Sequence, residues 1–166
     1  MNKVAQYQDL LSQQDAFTIQ RFQKSAPINV VGLAAAFGLK VYHDDLEARV
    51  SGKIIKERAH GGSSGYSIVI NSNEAPNRQR FTIAHEIGHF LLHRERIGDG
   101  LVDDPLYRSG LSTFEEVRAN RLAADILMPF DLLEKAIKDG KKSVQDLASL
   151  FRVSTQAMSV RLEIPA

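Results

Sequence analysis

Residues 78–93 read RQRFTIAHEIGHFLLH and place two histidines, His85 and His89, four residues apart. Four residues correspond to about one turn of an α-helix, so both imidazoles project from the same face. Two such nitrogens can bind a single Zn²⁺ at roughly 2.0–2.1 Å. Glu86 follows His85 directly and can lie beside the ion without binding it, where a general base is needed. The segment therefore predicts a zinc site on a helix that spans about 77–93.

A catalytic zinc ion normally has three protein ligands and one open position. His93 continues the four-residue series, but it would lie about 12 Å from His85 along a straight helix. We therefore expect His93 to be a polar residue at the helix end, where a cation suits the helix dipole. A second predicted helix offers Glu116 as third ligand and Asn120, on the same face, to orient a ligand imidazole. Three other acidic residues stay open as alternatives to Glu116: Glu115, Asp103 and Asp104.

The predicted elements are clustered by type, with strands between two sets of helices. This order is typical of an α+β fold, here a small antiparallel or mixed sheet packed against the motif helix. We divide the chain into an N-terminal helical segment (1–26), a zincin-like metallopeptidase core (27–139) and a helical C-terminal subdomain (140–166). The strands are predicted at about 39–43, 50–57 and 66–71.

The strand at 66–71 alternates apolar and polar residues, as a half-buried strand does. Zinc peptidases with this helical motif commonly bind the peptide as an extra strand on a sheet edge. Unpaired N–H and C=O groups on such an edge can hold a substrate strand. We therefore expect Tyr66, Ser67, Ile68 and Val69 to bind substrate, unless this strand is central and both of its edges are paired.

The composition limits the possible partners. The chain has 166 residues, with 21 Lys and Arg against 20 Asp and Glu, so the net charge is only +1. This balance gives no overall electrostatic footprint for nucleic acid, and we do not expect a direct nucleic-acid partner. The absence of cysteine excludes disulfides and thiolate metal sites. No apolar run is long enough for a signal peptide or a membrane span, so we expect a cytoplasmic protein without a membrane partner.

The C-terminal segment 147–162 reads LASLFRVSTQAMSVRL and resembles a helix-turn-helix. Arg152 stands where the turn usually has Gly. Four basic and two acidic residues between 141 and 166 give little charge for phosphate contacts. We therefore expect these helices to pack on the core, with DNA binding by residues 143–163 as the alternative.

Two segments, 78–93 and 116–129, together resemble the ImmA/IrrE family of metallopeptidases. The family pattern is similar to RxRFTxAHExGHxxxH followed by ExxANxFAAxLLMP, and the second segment here reads EVRANRLAADILMP. Leu122 replaces the usual Phe. Arg118 replaces a common acidic residue, so any role of that acid is absent here.

This resemblance implies that His85, His89 and Glu116 bind zinc and that Glu86 is the base. Members of the family cleave helix-turn-helix repressors in stress, phage or mobile-element circuits, which implies a zinc-dependent endopeptidase acting on such a repressor. Two alternatives stay open: a toxin or regulatory partner that binds a repressor with little proteolysis, and a DNA-binding regulator.

Overall fold

The structure, a computed structural model, describes residues 10–97 and 113–163. Within these ranges it contains seven α-helices, a short 3₁₀ helix at Arg94–Arg96 and three strands. The helices are α1 Gln13–Arg21, α2 Val30–Ala36, α3 Pro76–Leu92, α4 Thr113–Leu127, α5 Phe130–Lys138, α6 Val144–Phe151 and α7 Thr155–Arg161. The strands are β1 Leu39–Asp44, β2 Gly52–Lys56 and β3 Tyr66–Asn71. The predicted α+β class is confirmed.

Local capping explains where the first two helices begin. The side chain of Ser12 accepts a hydrogen bond from the Asp15 amide, and that of Asn29 accepts one from the Gly32 amide. Each bond satisfies an N–H group that the first helical turn leaves without a partner. Because α1 ends at Arg21, it is shorter at this end than the helical segment predicted from the sequence.

The three strands form one mixed sheet in the order β1-β3-β2. β1 pairs with β3 in parallel, and β2 pairs with β3 in antiparallel orientation. Helix α3 packs against this sheet and against α4. The predicted small mixed sheet against the motif helix is therefore confirmed, and it fixes α3 between the sheet and the next helix.

β3 is the central strand, so the expectation that Tyr66–Val69 offers a free edge is wrong. Its backbone pairs with a strand on both sides. Both faces are also covered, because Ile68 and Ile70 on one face and Ser67 and Asn71 on the other are at most 1% exposed. The alternation of residue types suggested a solvent-exposed face, but here the polar residues are buried too.

Turns near 139–140 and 152–154 separate the C-terminal helices. Ser143 and Ser154 cap α6 and α7 by accepting bonds from amides three residues later. Arg152 takes a left-handed backbone conformation, with φ of 52°, at the position where a helix-turn-helix usually has Gly. The helix-turn-helix itself stays a prediction.

One hydrophobic core joins these parts of the molecule. It includes Ile19 from α1, Ile68 from the sheet, Ile87 from α3 and Met158 from α7, all of them buried. The C-terminal helices therefore pack on the same core as the sheet. Our division into three parts stays a prediction. No helix among the described residues is long and apolar enough to cross a membrane.

Candidate metal centre

Helices α3 and α4 approach each other closely at Gly88. A Cβ atom added to Gly88 would lie 3.1 Å from the backbone oxygen of Ala119 and 3.3 Å from its Cα. These distances leave little room for any side chain on α3 at this point. The small residue thus lets the two helices carry their polar side chains within reach of one another.

Glu116 of α4 faces both histidines of α3. Oε1 of Glu116 lies 2.9 Å from Nε2 of His89, and Oε2 lies 3.4 Å from Nε2 of His85. The three side chains form a group whose ligand atoms lie within 4.8 Å of one another. An ion bound tetrahedrally at about 2.0–2.1 Å separates its ligand atoms by about 3.3 Å. We call these three residues the metal triad, because their donor atoms fit one ion with little movement.

The electrostatics of Glu116 suit an anionic ligand. Burial by itself raises the pKa of the Glu116 carboxyl, but hydrogen bonding to His85 and His89 outweighs burial. The net effect holds the pKa of Glu116 well below its usual range. The group is therefore a carboxylate at every physiological pH.

Asn120 lies where an orienting residue is needed. Its Oδ1 is 2.8 Å from Nδ1 of His85. When Nδ1–H donates to this oxygen, Nε2 of His85 carries the lone pair and points toward Glu116. The hydrogen bond thus selects the tautomer that a metal at Nε2 requires.

His93 has a position that the sequence reasoning missed. It is buried, and its Nδ1 lies 3.1 Å from Nδ1 of His89. Burial, and then the neighbouring His89, lower the pKa of His93, so its imidazole is neutral at pH 7. His93 caps the end of α3, as expected of a polar residue there. A neutral His93 can accept the Nδ1–H of His89, as Asn120 does for His85, and the four-residue spacing of the two histidines was the available signal.

The sequence left Glu115, Asp103 and Asp104 as alternatives to Glu116 for the third metal ligand. Among the described residues, the group that fits a metal contains Glu116 and not Glu115. Asp103 and Asp104 lie outside the described residues. The geometry therefore favours Glu116.

Glu86 is fully buried on α3, next to His85 in sequence but outside the triad. Both residues line a cleft with a volume of about 1020 Å³. A carboxylate beside the triad, in the lining of the cleft, is placed to exchange a proton with a bound molecule. The residues of β3 predicted to bind substrate, Tyr66 to Val69, are not among those that line this cleft.

The segment before β2 forms one wall of the cleft through Arg49, Val50 and Ser51. The buried amide of Asn71 holds this wall in place. Its Nδ2 donates to the carbonyl of Val50 at 2.8 Å, and it also lies 3.3 and 3.2 Å from the carbonyls of Leu46 and Glu47. The central strand thus fixes the chain that faces the metal triad.

Comparison with known proteins identifies metalloprotease relatives. The chain is 37% identical over 89 residues to the radiation response metalloprotease IrrE of Deinococcus radiodurans, and the match covers 51% of this chain and 26% of the relative. The protein of the same name from Deinococcus deserti is 39% identical over 89 residues, with 51% of this chain and 30% of the relative covered. The match thus spans about a quarter to a third of each relative.

A solved structure of a Mycobacterium tuberculosis transcriptional regulator has the same fold, with a TM-score of 0.60 and 18% identity. The likeness covers 93% of this chain and 48% of that one. Residues 34–163 match the peptidase family described as the IrrE N-terminal-like domain. This match includes the triad, Glu86 and the cleft, and with it the chain belongs to the metallopeptidase family of the IrrE N-terminal-like domain.

Proposed function

We propose that this chain is a zinc-dependent endopeptidase in which His85, His89 and Glu116 bind the ion. The observation that carries the proposal is the triad itself, with its ligand atoms within 4.8 Å and Glu86 beside it on the cleft. Two imidazoles and one carboxylate are a ligand set typical of catalytic zinc, which keeps a fourth position open. Zinc bound there would polarise a carbonyl and lower the pKa of a water toward about 7.

Glu86 supplies the proton transfers in this proposal. It accepts a proton from the water that attacks the scissile carbonyl and passes it to the nitrogen of the leaving amine. Asn120 and His93 hold the two imidazoles by their Nδ1 atoms, which fixes the direction of each Nε2. The side chains of the chain thus divide into ligands, base and orienting residues.

The geometry of the sheet moves the proposed docking edge from β3 to β2. Among the described strands β2 is at an edge of the sheet, and the residues before it line the cleft. The amide of Glu57 donates a hydrogen bond to the carbonyl of Gly65, and the amide of Asn71 donates one to the carbonyl of Ser51. The backbone groups of residues 51 and 57 therefore point toward β3 and the residue just before it. By the alternation of an antiparallel ladder, the N–H and C=O groups of Gly52 and Ile54 point away from β3. A peptide could therefore pair with these groups.

The substrate in this proposal is a repressor of the helix-turn-helix class, cut at one or few sites. The support is the resemblance of residues 78–93 and 116–129 to a family with such substrates, together with membership of the metallopeptidase family.

The decisive experiment separates metal binding from catalysis. Glu86→Gln should keep about one zinc per chain by elemental analysis and lose cleavage by roughly 10²–10⁴-fold, because the base is gone. His85→Ala and His89→Ala should lose the zinc. Glu134→Gln, at an exposed position of α5, is the matched control and should change neither property. Normal cleavage by Glu86→Gln contradicts the mechanism, and stoichiometric zinc in both histidine variants contradicts the site.

Docking of a peptide on β2 can be tested separately by hydrogen exchange. In Glu86→Gln with a bound peptide, hydrogen exchange at the amides of Gly52 and Ile54 should slow. The amides of Lys53 and Ile55 are already in the ladder and serve as internal controls. Unchanged exchange at Gly52 and Ile54 in a saturated complex excludes this edge.

A further inference from the structure

The cleft extends beyond the metal triad to the last helix of the structure. Its wall there is formed by α7 and the turn before it, through Ser154, Gln156, Ala157 and Val160. Ala157 and Val160 are three residues apart and share one face of α7. Here that face lines a concave site next to Glu86.

The wall carries aliphatic side chains that are open to solvent. Val160 of α7 is 71% exposed and Val117 of α4 is 39% exposed, and both line the cleft. The half-buried Phe81 lines it as well. Apolar side chains that meet in one concave surface, and are not covered by the described residues, are typical of a binding site.

The charges around this wall have one predominant sign. Outside the metal triad and Glu86, four arginines and one aspartate line the cleft. Arg161 pairs with that aspartate, Asp125, at 2.5 Å. Arg78 pairs with Glu74 at 3.5 Å. Arg49 and Arg121 also line the cleft with exposed side chains. Low-dielectric walls lined by one sign of charge attract a ligand of the opposite sign.

We propose that this part of the cleft is a specificity subsite that takes an acidic peptide segment with an aliphatic side chain. The aliphatic side chain of the substrate packs against Val117 and Val160, and a carboxylate of a neighbouring residue faces the arginines. The subsite rests on the proposed peptidase function, because it sets which peptide lies across the triad. It gives α7 a role in peptide recognition.

The shape of the site favours a peptide over DNA. Reading bases in the major groove requires a helix that projects from the surface of the protein. The face of α7 instead lines a cleft of about 1020 Å³, which suits a few residues of peptide. Double-stranded DNA is nevertheless a polyanion, so the experiment includes it as a competitor.

The first measurement is cleavage of a library of proteome-derived peptides, with the cut sites read by mass spectrometry. The parent protein should enrich Asp or Glu together with Val, Leu or Ile within about three residues of the cut. The double variant Arg49→Glu plus Arg121→Glu should lose that acidic enrichment and cut acidic peptides roughly 5- to 20-fold more slowly, since each exposed charge contributes a few-fold. Lys138→Glu plus Lys142→Glu makes the same charge change outside the cleft and should leave the preference unchanged.

The aliphatic contact is tested by Val160→Asp, with Val31→Asp as the control at another exposed valine. Val160→Asp should reduce cleavage of peptides with an aliphatic residue by roughly 5- to 10-fold, because that contact is lost. Val31→Asp should match the parent. Circular dichroism of each variant shows that the fold is retained.

The second measurement is binding without turnover. Fluorescence anisotropy should show that a fluorescein-labelled acidic peptide binds Glu86→Gln. Adding Arg49→Glu and Arg121→Glu to this variant should weaken peptide binding by the same factor by which these two changes slow cleavage. If the variants cleave peptides with the same preference for acidic and aliphatic residues as the parent, the subsite is wrong but the proposed peptidase function stands. Absence of all cleavage overturns the proposed function, while arginine-dependent peptide binding still supports the subsite. Displacement of the peptide by duplex DNA at equal or lower concentration overturns it.

Discussion

Asp125 and Glu116, two carboxylates of helix α4, face other elements of the fold and are compensated in different ways. Asp125 pairs with the guanidinium of Arg161 at 2.5 Å, and both side chains are 5% exposed. Glu116 faces the imidazoles of His85 and His89 and is 25% exposed. One carboxylate thus has a guanidinium cation supplied by the chain, whereas the other faces two imidazoles.

The comparison shows how one helix serves both stability and function. Arg161 also donates to the carbonyl of Met128 at 2.9 Å and stacks 3.9 Å above the ring of Phe130, so its charge is held by several contacts. That ion pair ties α7 to α4. The metal triad instead collects donor atoms around a point where a cation from outside can complete the charge balance.

The largest expected effect comes from breaking the internal pair. Arg161→Met leaves Asp125 buried without its cation, and the free energy of unfolding should fall by about 3–5 kcal/mol. Urea denaturation followed by circular dichroism measures the change. Adding Asp125→Leu to this variant should recover most of the loss, because no buried charge then remains. A loss below about 1 kcal/mol in the single variant would mean that this pair is not the structural element we describe.

A smaller effect is expected where α3 and α4 meet. Gly88→Val places side-chain atoms against the backbone of Ala119, and overpacking of this kind costs about 1–3 kcal/mol. Because the helices must separate, zinc affinity should fall as well, while Arg161 stays paired. Ala35→Val, on an exposed position of α2, is the control for helix propensity. Parent-like zinc affinity in Gly88→Val would show that the triad does not depend on this close approach.

His93 should affect metal binding more than folding. His93→Phe removes the acceptor for Nδ1–H of His89, and loss of such an orienting contact typically lowers metal affinity by about 10- to 100-fold. His93→Asn keeps an acceptor and should recover part of this loss. Competition with a chromophoric chelator measures the affinity of each variant. Equal affinities for the Phe and Asn variants would show that only packing at this position matters.

The smallest effect is expected from Glu116→Gln in metal-free protein. Gln keeps an oxygen that can accept from an imidazole N–H and carries no charge that burial disfavours, so the unfolding free energy should change by less than about 1 kcal/mol. With saturating zinc the parent should gain stability that the variant lacks, because binding to the native state alone stabilises it. Thermal denaturation with and without zinc gives both values. A metal-free loss as large as that of Arg161→Met would remove the distinction between the two carboxylates.

The sequence could predict features that depend on residues close together in the chain. His85, Glu86 and His89 lie within one turn of one helix, so their common face follows from spacing alone. Glu116 and Asn120 share a face for the same reason, but the approach of their helix to α3 is a tertiary contact. Helix bounds were also predictable to within a few residues, because Asn29, Ser143 and Pro129 act locally.

The features that sequence reasoning missed depend on distant parts of the chain. The central place of β3 follows from pairing with β1 and β2, which the residue pattern of a single strand does not encode. The neutral state of His93 follows from its burial next to His89. The Asp125–Arg161 pair joins residues 36 positions apart. Each of these required the packing of elements to be known first.

The hydrogen bonds of Asn71 have a consequence for the kinetics and thermodynamics of peptide association. Fixing one residue of a mobile loop costs about 1–2 kcal/mol in backbone entropy. Because Asn71 already fixes the stretch that ends in Val50, that ordering is completed when the chain folds. An incoming peptide then meets a rigid wall, so less of its contact energy is consumed in ordering the protein. Encounter with the peptide should accordingly require no loop rearrangement on this side of the cleft, and association can proceed at the rate of a preformed site.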